Sequence, residues 1–366
     1  MFTSIEYNER SIAKNAQFAR LRYQYNTVKK ECQAPEVLHD VSSSGKVRKW
    51  SYYKGQNMYI AYAYEQFDQE KYEKLLGCGT WLQYAADRNS GRLTLKSANF
   101  CRLRLCPICQ WRRSLKLYGQ MRRVIEHLGG DYLYIFWTGT IRNCGGSELS
   151  QSITHLLEGF KCMAKMPEFK RACKGYFRAL EVTRNTDTGD FHPHIHAIFA
   201  VRRSYFTSRD YLAQTDWTAL WLKALNECAT RCKCARLDYA PIVNVKRVKA
   251  RGGAQSEYDG GPVDTIAAIC ETAKYCVKSE DIICYDDWDL TVDTLKTLDS
   301  ALSGRRLISM GGIIRQAHHD LNLTSVDSED SDLLDIGQDE SIANPDNANE
   351  LLYVWHSGYS EYVRKD

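Results

Sequence analysis

The sequence predicts an α+β protein: a ferredoxin-like antiparallel sheet built in the order β-α-β-β-α-β, preceded by a small region that binds zinc through four cysteines. Three observations carry this. Strand-like and helix-like hydrophobic periods alternate from residue 131 onward, four cysteines including a Cys-x-x-Cys pair fall between 78 and 109, and three histidines alternate along one strand.

Four regions follow along the chain. Residues 1–75, rich in Tyr, Lys and Gln, carry mixed helical signals and no assigned role. Residues 76–130 hold Cys78, Cys101, Cys106 and Cys109, followed by a basic helix to about residue 128. Two thiolates at Cys-x-x-Cys spacing grip one zinc from a tight turn, and four sulfurs close a tetrahedral structural site. A redox pair is disfavoured because no thioredoxin-like βαβ context surrounds it. Arg112, Arg113, Lys116, Arg122 and Arg123 on the helix are candidate phosphate contacts, against the plainer reading of a solvated charged face.

Residues 131–300 contain the sheet. Strands are expected at 132–141, 175–183, 191–201 and 240–248. A helix over 147–165 turns Leu149, Ile153, Leu156, Leu157 and Phe160 inward, and a second buries Trp217, Leu220, Trp221, Ala224 and Leu225. A last helix spans about 264–279, with Ile266, Ile269, Cys270, Ala273 and Val277 on one stripe and Glu271, Tyr275 and Lys278 on another. Residues 301–366 form a C-terminal region with an acidic, flexible tail.

Composition bounds the function. At 366 residues with 44% hydrophobic and 11% aromatic residues, the chain is globular, with room for two domains. It shows no apolar run of the ~20 residues a membrane span needs and no signal-peptide core at its start, so a cytoplasmic location is expected and the 14 cysteines read as reduced thiols. Residues 327–350 carry nine acids and no base, and residues 351–366 two of each sign. Residues 1–326 therefore keep 47 of the 49 bases and 34 of the 45 acids. A basic body suits nucleic acid; the acidic stretch is a solvated linker or a competitor for the same groove, the linker being favoured.

Strand alternation puts His192, His194 and His196 on one face. Imidazole is the commonest metal ligand, although a lone His-x-His pair is more often merely hydrogen-bonded. The hairpin supplies more: with its turn centred on Asp187-Thr188, Glu181 faces His194 and completes a His-His-carboxylate set. A one-residue slip would send Glu181 to the opposite face and leave it a solvated carboxylate. On the last helix, Tyr275 is a candidate nucleophile towards a phosphodiester, Lys278 a stabiliser of phenolate or phosphate charge, and Glu271 a general base. Read alone, that stripe is a tyrosine among surface charges.

Taken together, "FCRLRLCPICQWRRSLK", "HPHIHAIF" and "ETAKYCVKSED" resemble the HUH (His-hydrophobe-His) replication initiators of small bacterial rolling-circle plasmids, in the single-tyrosine branch with glutamate four residues before it. The likeness spans about 76–281. It implies an HUH endonuclease domain on a ferredoxin-like, RRM-like sheet, with Mg²⁺ or Mn²⁺ on His194 and His196. It further implies a nick by Tyr275 at the double-strand origin, with a free 3′-OH that primes synthesis, and Glu271 acting at termination. Plasmid origin DNA is the implied partner, with host helicase and DNA polymerase, and no membrane. Thr138 and Thr140 match the family's first motif, from which Gly139 departs. Glu181 as third ligand rests on strand pairing, and His192 is a further candidate ligand. Competing expectations are the same chemistry in transposition, conjugation or phage replication, a metal-dependent hydrolase using water alone, and a non-catalytic zinc-containing nucleic-acid-binding regulator.

Overall fold

The computed structural model describes residues 35–42, 45–185, 188–249, 263–264, 269, 272, 276–327, 331–336 and 348–365. Along the chain lie α1 (Trp50–Tyr64), α2 (Gln69–Gly77), β1 (Trp81–Asp87), β2 (Leu93–Ala98), α3 (Pro107–Leu128), β3 (Tyr132–Thr140), α4 (Gly146–Met163) and α5 (Pro167–Ala172). Then come β4 (Cys173–Arg184), β5 (Phe191–Arg202), α6 (Gln214–Cys232), β6 (Val243–Lys249), β7 (Val263–Asp264), α7 (Ser279–Ile282), α8 (Trp288–Leu302), β8 (Ile308–Gly311), α9 (Gly312–Asp320), β9 (Ala348–His356) and β10 (Glu361–Lys365). No described helix is long and apolar enough to cross a membrane. Chain contacts divide the molecule into two units, one of Met1–Arg112, Ile283–Val292 and Asp332–Asp366, the other of Arg113–Ile282 and Asp293–Ser331.

The first unit is organised by an antiparallel sheet in the order β10-β9-β1-β2. The β1–β2 hairpin lies inside the region read from sequence as a zinc knuckle alone; its signal is the alternation of "WLQYAAD" and "RLTLKSA" about a turn. Buried Trp50, Tyr64, Tyr84 and Tyr362 fill the core. The buried carboxylate of Asp40 accepts from Trp50 Nε1 at 2.8 Å, the Tyr84 hydroxyl at 2.9 Å and Arg48 at 3.0 Å, so these four groups, which burial strips of water, find partners within the core.

The second unit is built on a sheet in the order β7-β6-β3-β5-β4-β8, antiparallel at every pairing except β6–β7. Alternation sorts the side chains of β5. Ile195, Ala197, Phe199 and Val201 are fully buried, and Phe199 belongs to an aromatic cluster with Trp137, Phe160 of α4 and Trp217 of α6. On the other face Ile198 and Ala200 join Leu117, Met121 and Val124 of α3 and Ile314 and Ala317 of α9 in an apolar cluster. A sheet apolar on both faces needs a layer on each, and α4 with α6 supply one, α3 with α9 the other.

Two departures from the sequence reading have physical reasons, and one mismatch to the motif leaves its strand intact. The last helix was expected to begin at 264; instead Asp264 continues a short strand whose backbone pairs with β6, and at its other end Cys276 has left helical geometry so that its carbonyl accepts from Val182 N at 2.7 Å. The residues of 301–366 do not stand apart as one region. β8 pairs with the edge strand β4 and α9 joins the second unit's core, whereas β9 pairs with β1 in the first unit. Finally, Gly139 leaves β3 regular, paired to Ile195 and Val243. The Trp137 ring lies across it, and a Cβ there would overlap that ring.

Candidate active site

The histidine face of β5 continues the stripe of Ile198 and Ala200 beyond the end of the apolar cluster, where polar groups replace the helices as partners. Glu181 of β4 pairs with His194 in the register expected from the hairpin. Nε2 of His194 and of His196 lie 3.4 and 3.0 Å from Glu181 Oε2, and 3.1 Å from each other. All three ligand atoms therefore converge on one point.

The opposite edges of both rings are tied down. His194 Nδ1 donates to the backbone carbonyl of His192 at 3.0 Å, and His196 Nδ1 is 2.9 Å from Thr138 Oγ1, a residue paired with His196 across β3–β5. The Phe136 ring stacks on His196 at 5.4 Å. Fixing Nδ1 turns Nε2 of both rings towards Glu181, the arrangement by which metal-ligating histidines are oriented. His192 takes another course: its Nδ1 is 2.7 Å from Asn143 Oδ1, and burial, with the charge of His194, holds its pKa below the usual histidine range.

Glu181 is buried, and its second oxygen is 3.2 Å from Lys278 Nζ. Burial alone would raise its carboxyl pKa; the hydrogen bonds and charges of His194 and His196 outweigh that and hold it well below the carboxylate range. A carboxylate already ionised between two oriented imidazoles is a ready-made site for a divalent ion, with ligand atoms spaced as bonds of about 2.0–2.2 Å to one centre would have them. Lys278 is brought to this cluster, whereas Glu271 and Tyr275 lie outside the described residues.

The four cysteines of the first unit also converge. Cys78 Sγ lies 3.6 Å from both Cys106 and Cys109, and Cys101 Sγ 3.7 Å from Cys109. Backbone amides of Cys101 and Arg102 donate to the sulfurs of Cys78 and Cys109 at 3.3 and 3.2 Å, and Asn57 Nδ2 to Cys106 at 3.4 Å. Gly79 (φ +61) makes the turn after Cys78 against Ile108 and Tyr362, too close for a side chain. Lys54, 1% exposed, donates to the carbonyls of Leu76 and Cys78 and sets an ammonium beside the cluster. Such a surrounding suits four thiolates on one zinc, whose excess negative charge the amides and Lys54 offset. Sequence spacing found the cysteines; Asn57 and Lys54, on α1, gave no signal.

The proposed phosphate contacts need correction. Arg112 is fully buried, its guanidinium donating to the carbonyls of Leu333 and Leu334 and lying over Trp50, and Lys116 is buried too. Helical periodicity turns both inward. Arg122 is exposed but pairs with Glu126 at 2.8 Å. Arg123 is exposed and Arg113 half-buried.

Comparison with known proteins adds a separate line. A family model described as "Replication protein" (Rep_1) matches residues 92–363. Proteins named "Protein rep" from Bacillus amyloliquefaciens and Lactiplantibacillus plantarum are 37% and 33% identical over 347 and 336 residues, covering 90% and 89% of this chain and 97% and 98% of theirs. Another, from Streptococcus pneumoniae, is 27% identical over 341 residues, 90% of this chain and 96% of its own. No solved structure matches.

Proposed function

The chain belongs to the Replication protein family, and on that premise we propose that it initiates rolling-circle replication of a bacterial plasmid by nicking one strand at the double-strand origin through a phosphotyrosine. The carrying observation is the convergence of Glu181, His194 and His196, with both Nδ1 atoms anchored. Support also comes from the strand order β6-β3-β5-β4 with antiparallel neighbours, the order of a split βαβ, ferredoxin-like sheet of HUH type.

In this reading Glu181, His194 and His196 hold Mg²⁺ or Mn²⁺, which polarises the scissile phosphate when bound. The Tyr275 oxygen attacks phosphorus and the bond to the 3′-oxygen breaks. The phenol proton passes to water, the 3′-oxygen takes a proton from water and leaves as a hydroxyl that primes synthesis, and the 5′-phosphate stays on the tyrosine. An ordinary phenol, with pKa about 10, is a weak nucleophile near neutrality. Lys278, beside Glu181, supplies positive charge for phenolate or phosphate. The carbonyl of Cys276, next in the chain to Tyr275, accepts from Val182 N, adjacent to Glu181. Glu271 acts as general base in the terminating cleavage. Arg113 and Arg123 remain candidate phosphate contacts, and the cysteine centre, loaded with zinc, is structural.

The test is incubation of the full chain with supercoiled origin plasmid and Mn²⁺. Nicking and a covalent adduct on a labelled origin oligonucleotide are expected, both lost in Tyr275→Phe by about 10³-fold or more. Full cleavage by Tyr275→Phe would replace the phosphotyrosine with activated water, and no nicking by the unaltered chain would leave a DNA-binding regulator.

A further inference from the structure

Several cysteines used by neither centre gather in the second unit, on the seam between α4 and α6. Cys228 and Cys232 are four residues apart on α6 and so share a face. The helix then stops at Lys233, in the left-handed region (φ 55), and the chain folds back so that Cys234 N donates to Ala229 O at 2.9 Å. Its Sγ lies 3.4 Å from the Cys232 carbonyl and 3.8 Å from that of Gln151 on α4. Gly159 lets the helices approach, since a Cβ there would meet Leu225 at 2.6 Å. One turn earlier on α4, buried His155 sets Nε2 2.9 Å from Leu225 O. A ring nitrogen of His155 and the sulfurs of Cys228 and Cys232 all lie within 4.8 Å of one another.

We propose that His155, Cys228 and Cys232, completed by Cys234, form a second zinc site that clamps α4 to α6. This goes beyond the nicking reading and does not depend on it. Buried cysteines often act only as small apolar side chains, and Cys228, fully buried, would fit that description by itself. Cys232 and Cys234 do not, because both are partly exposed at the end of the helix while their sulfurs turn towards the same seam as a buried imidazole. Exposure on that side gives an ion its entry, and His155 with Cys228 forms the inner wall. Three sulfurs and one nitrogen make a Cys₃His set, a common structural zinc donor combination. These soft donors select zinc over the Mg²⁺ or Mn²⁺ suited to Glu181, His194 and His196, so the two sites of this unit would not exchange metals freely. Zinc bonds of about 2.0–2.3 Å place ligand atoms roughly 3.5–3.8 Å apart, so His155, Cys228 and Cys232, now within 4.8 Å of one another, need to draw in by about 1.3 Å at most, with Cys234 brought in from the helix end.

The experiment counts zinc released from the purified full chain, in three forms: unaltered, Cys228→Ser/Cys232→Ser, and Cys106→Ser. The double variant is expected to lose about one zinc per chain, and Cys106→Ser about one from the other centre. Replacement of zinc by Co²⁺ gives a second reading, in which the double variant loses roughly two fifths of the sulfur-to-cobalt absorption, three of seven sulfurs. Should the double variant fail to fold, Cys234→Ser, at a partly exposed position, is expected to release the second zinc to a competing chelator at least about tenfold faster. Unchanged zinc content in the double variant, or unchanged release from Cys234→Ser, overturns the proposal. A loss confined to the double variant upholds it and places the fault with the Cys106 centre instead.

Discussion

The Cys106 and Glu181 constellations differ in what they leave open. The cysteine centre has four sulfurs, three of them buried, wrapped by amide donors and an ammonium; four ligands fill a tetrahedron and leave no place for a substrate. The Glu181 centre offers three ligand atoms from two strands, His194 and His196 being 10% and 12% exposed at the side chain, with a half-exposed lysine alongside. Three protein ligands leave positions for a phosphate oxygen. On the proposed function one arrangement closes a fold and the other awaits a reactant, so the two should respond to damage in different currencies.

The largest expected effect tests that division. His196→Ala should lower the nicking rate by about 10³-fold, since losing a ligand forfeits several kcal/mol of charge stabilisation, while zinc content and the folding of the first unit stay as they were. Cys106→Ser should do the reverse at the level of the molecule: zinc is lost and hydrogen exchange accelerates across β1, β2, β9 and β10. If Cys106→Ser left exchange in that sheet untouched, or His196→Ala nicked at the normal rate, the contrast would collapse.

Legibility in the sequence follows the same line. Hairpin arithmetic located Glu181 opposite His194 because strand pairing has a period of two and a short turn fixes the sum of residue numbers. Helix faces such as Leu149 to Phe160 were readable for the same reason at a period near 3.6. What stayed hidden depends on contacts distant in sequence. The burial of Arg112 requires carbonyls more than 200 residues away. Lys54 and Asn57 reach the cysteines from a helix with no motif, and the partnership of β9 with β1 joins opposite ends of the chain. Basic residues on a helix cannot announce, by spacing alone, which of them the core will claim.

A smaller effect sharpens the comparison within the Glu181 centre. Thr138 touches no ligand position, yet its Oγ1 sets the His196 ring. Thr138→Val should cost about 10–100-fold in metal affinity or activity, and raising Mn²⁺ should recover part of it; Thr138→Ser, which keeps the hydroxyl, should remain near the normal rate. Equal losses in Val and Ser would mean that the methyl packing matters and the hydrogen bond does not. Gly139→Ala is expected to destabilise the second unit by about 1–3 kcal/mol, because a Cβ displaces the Trp137 ring from a packed core, with no change in zinc content. Chemical denaturation of that unit, followed by hydrogen exchange in β3 and β5, reads it.

The smallest effect separates the centres without metal. Burial raises the Cys78 thiol, whereas at Cys106 burial is outweighed by hydrogen bonds from Cys101, Cys109 and Cys78, which hold the thiol well below the usual range, so the cysteine centre carries a titrating group of its own. Glu181 belongs to the other unit. Its folded-state pKa lies below the ordinary 4.5, so its contribution is fully present above about pH 4.5 and is lost as pH falls towards the folded value. Acid unfolding of the metal-free chain should therefore weaken the second unit in that window, and Glu181→Gln should flatten the pH dependence there while leaving the first unit's unchanged. Burial opposes the histidines at this carboxyl, which keeps the effect modest. An unaltered acid profile in Glu181→Gln would mean that the histidines do not stabilise the carboxylate until a metal joins them.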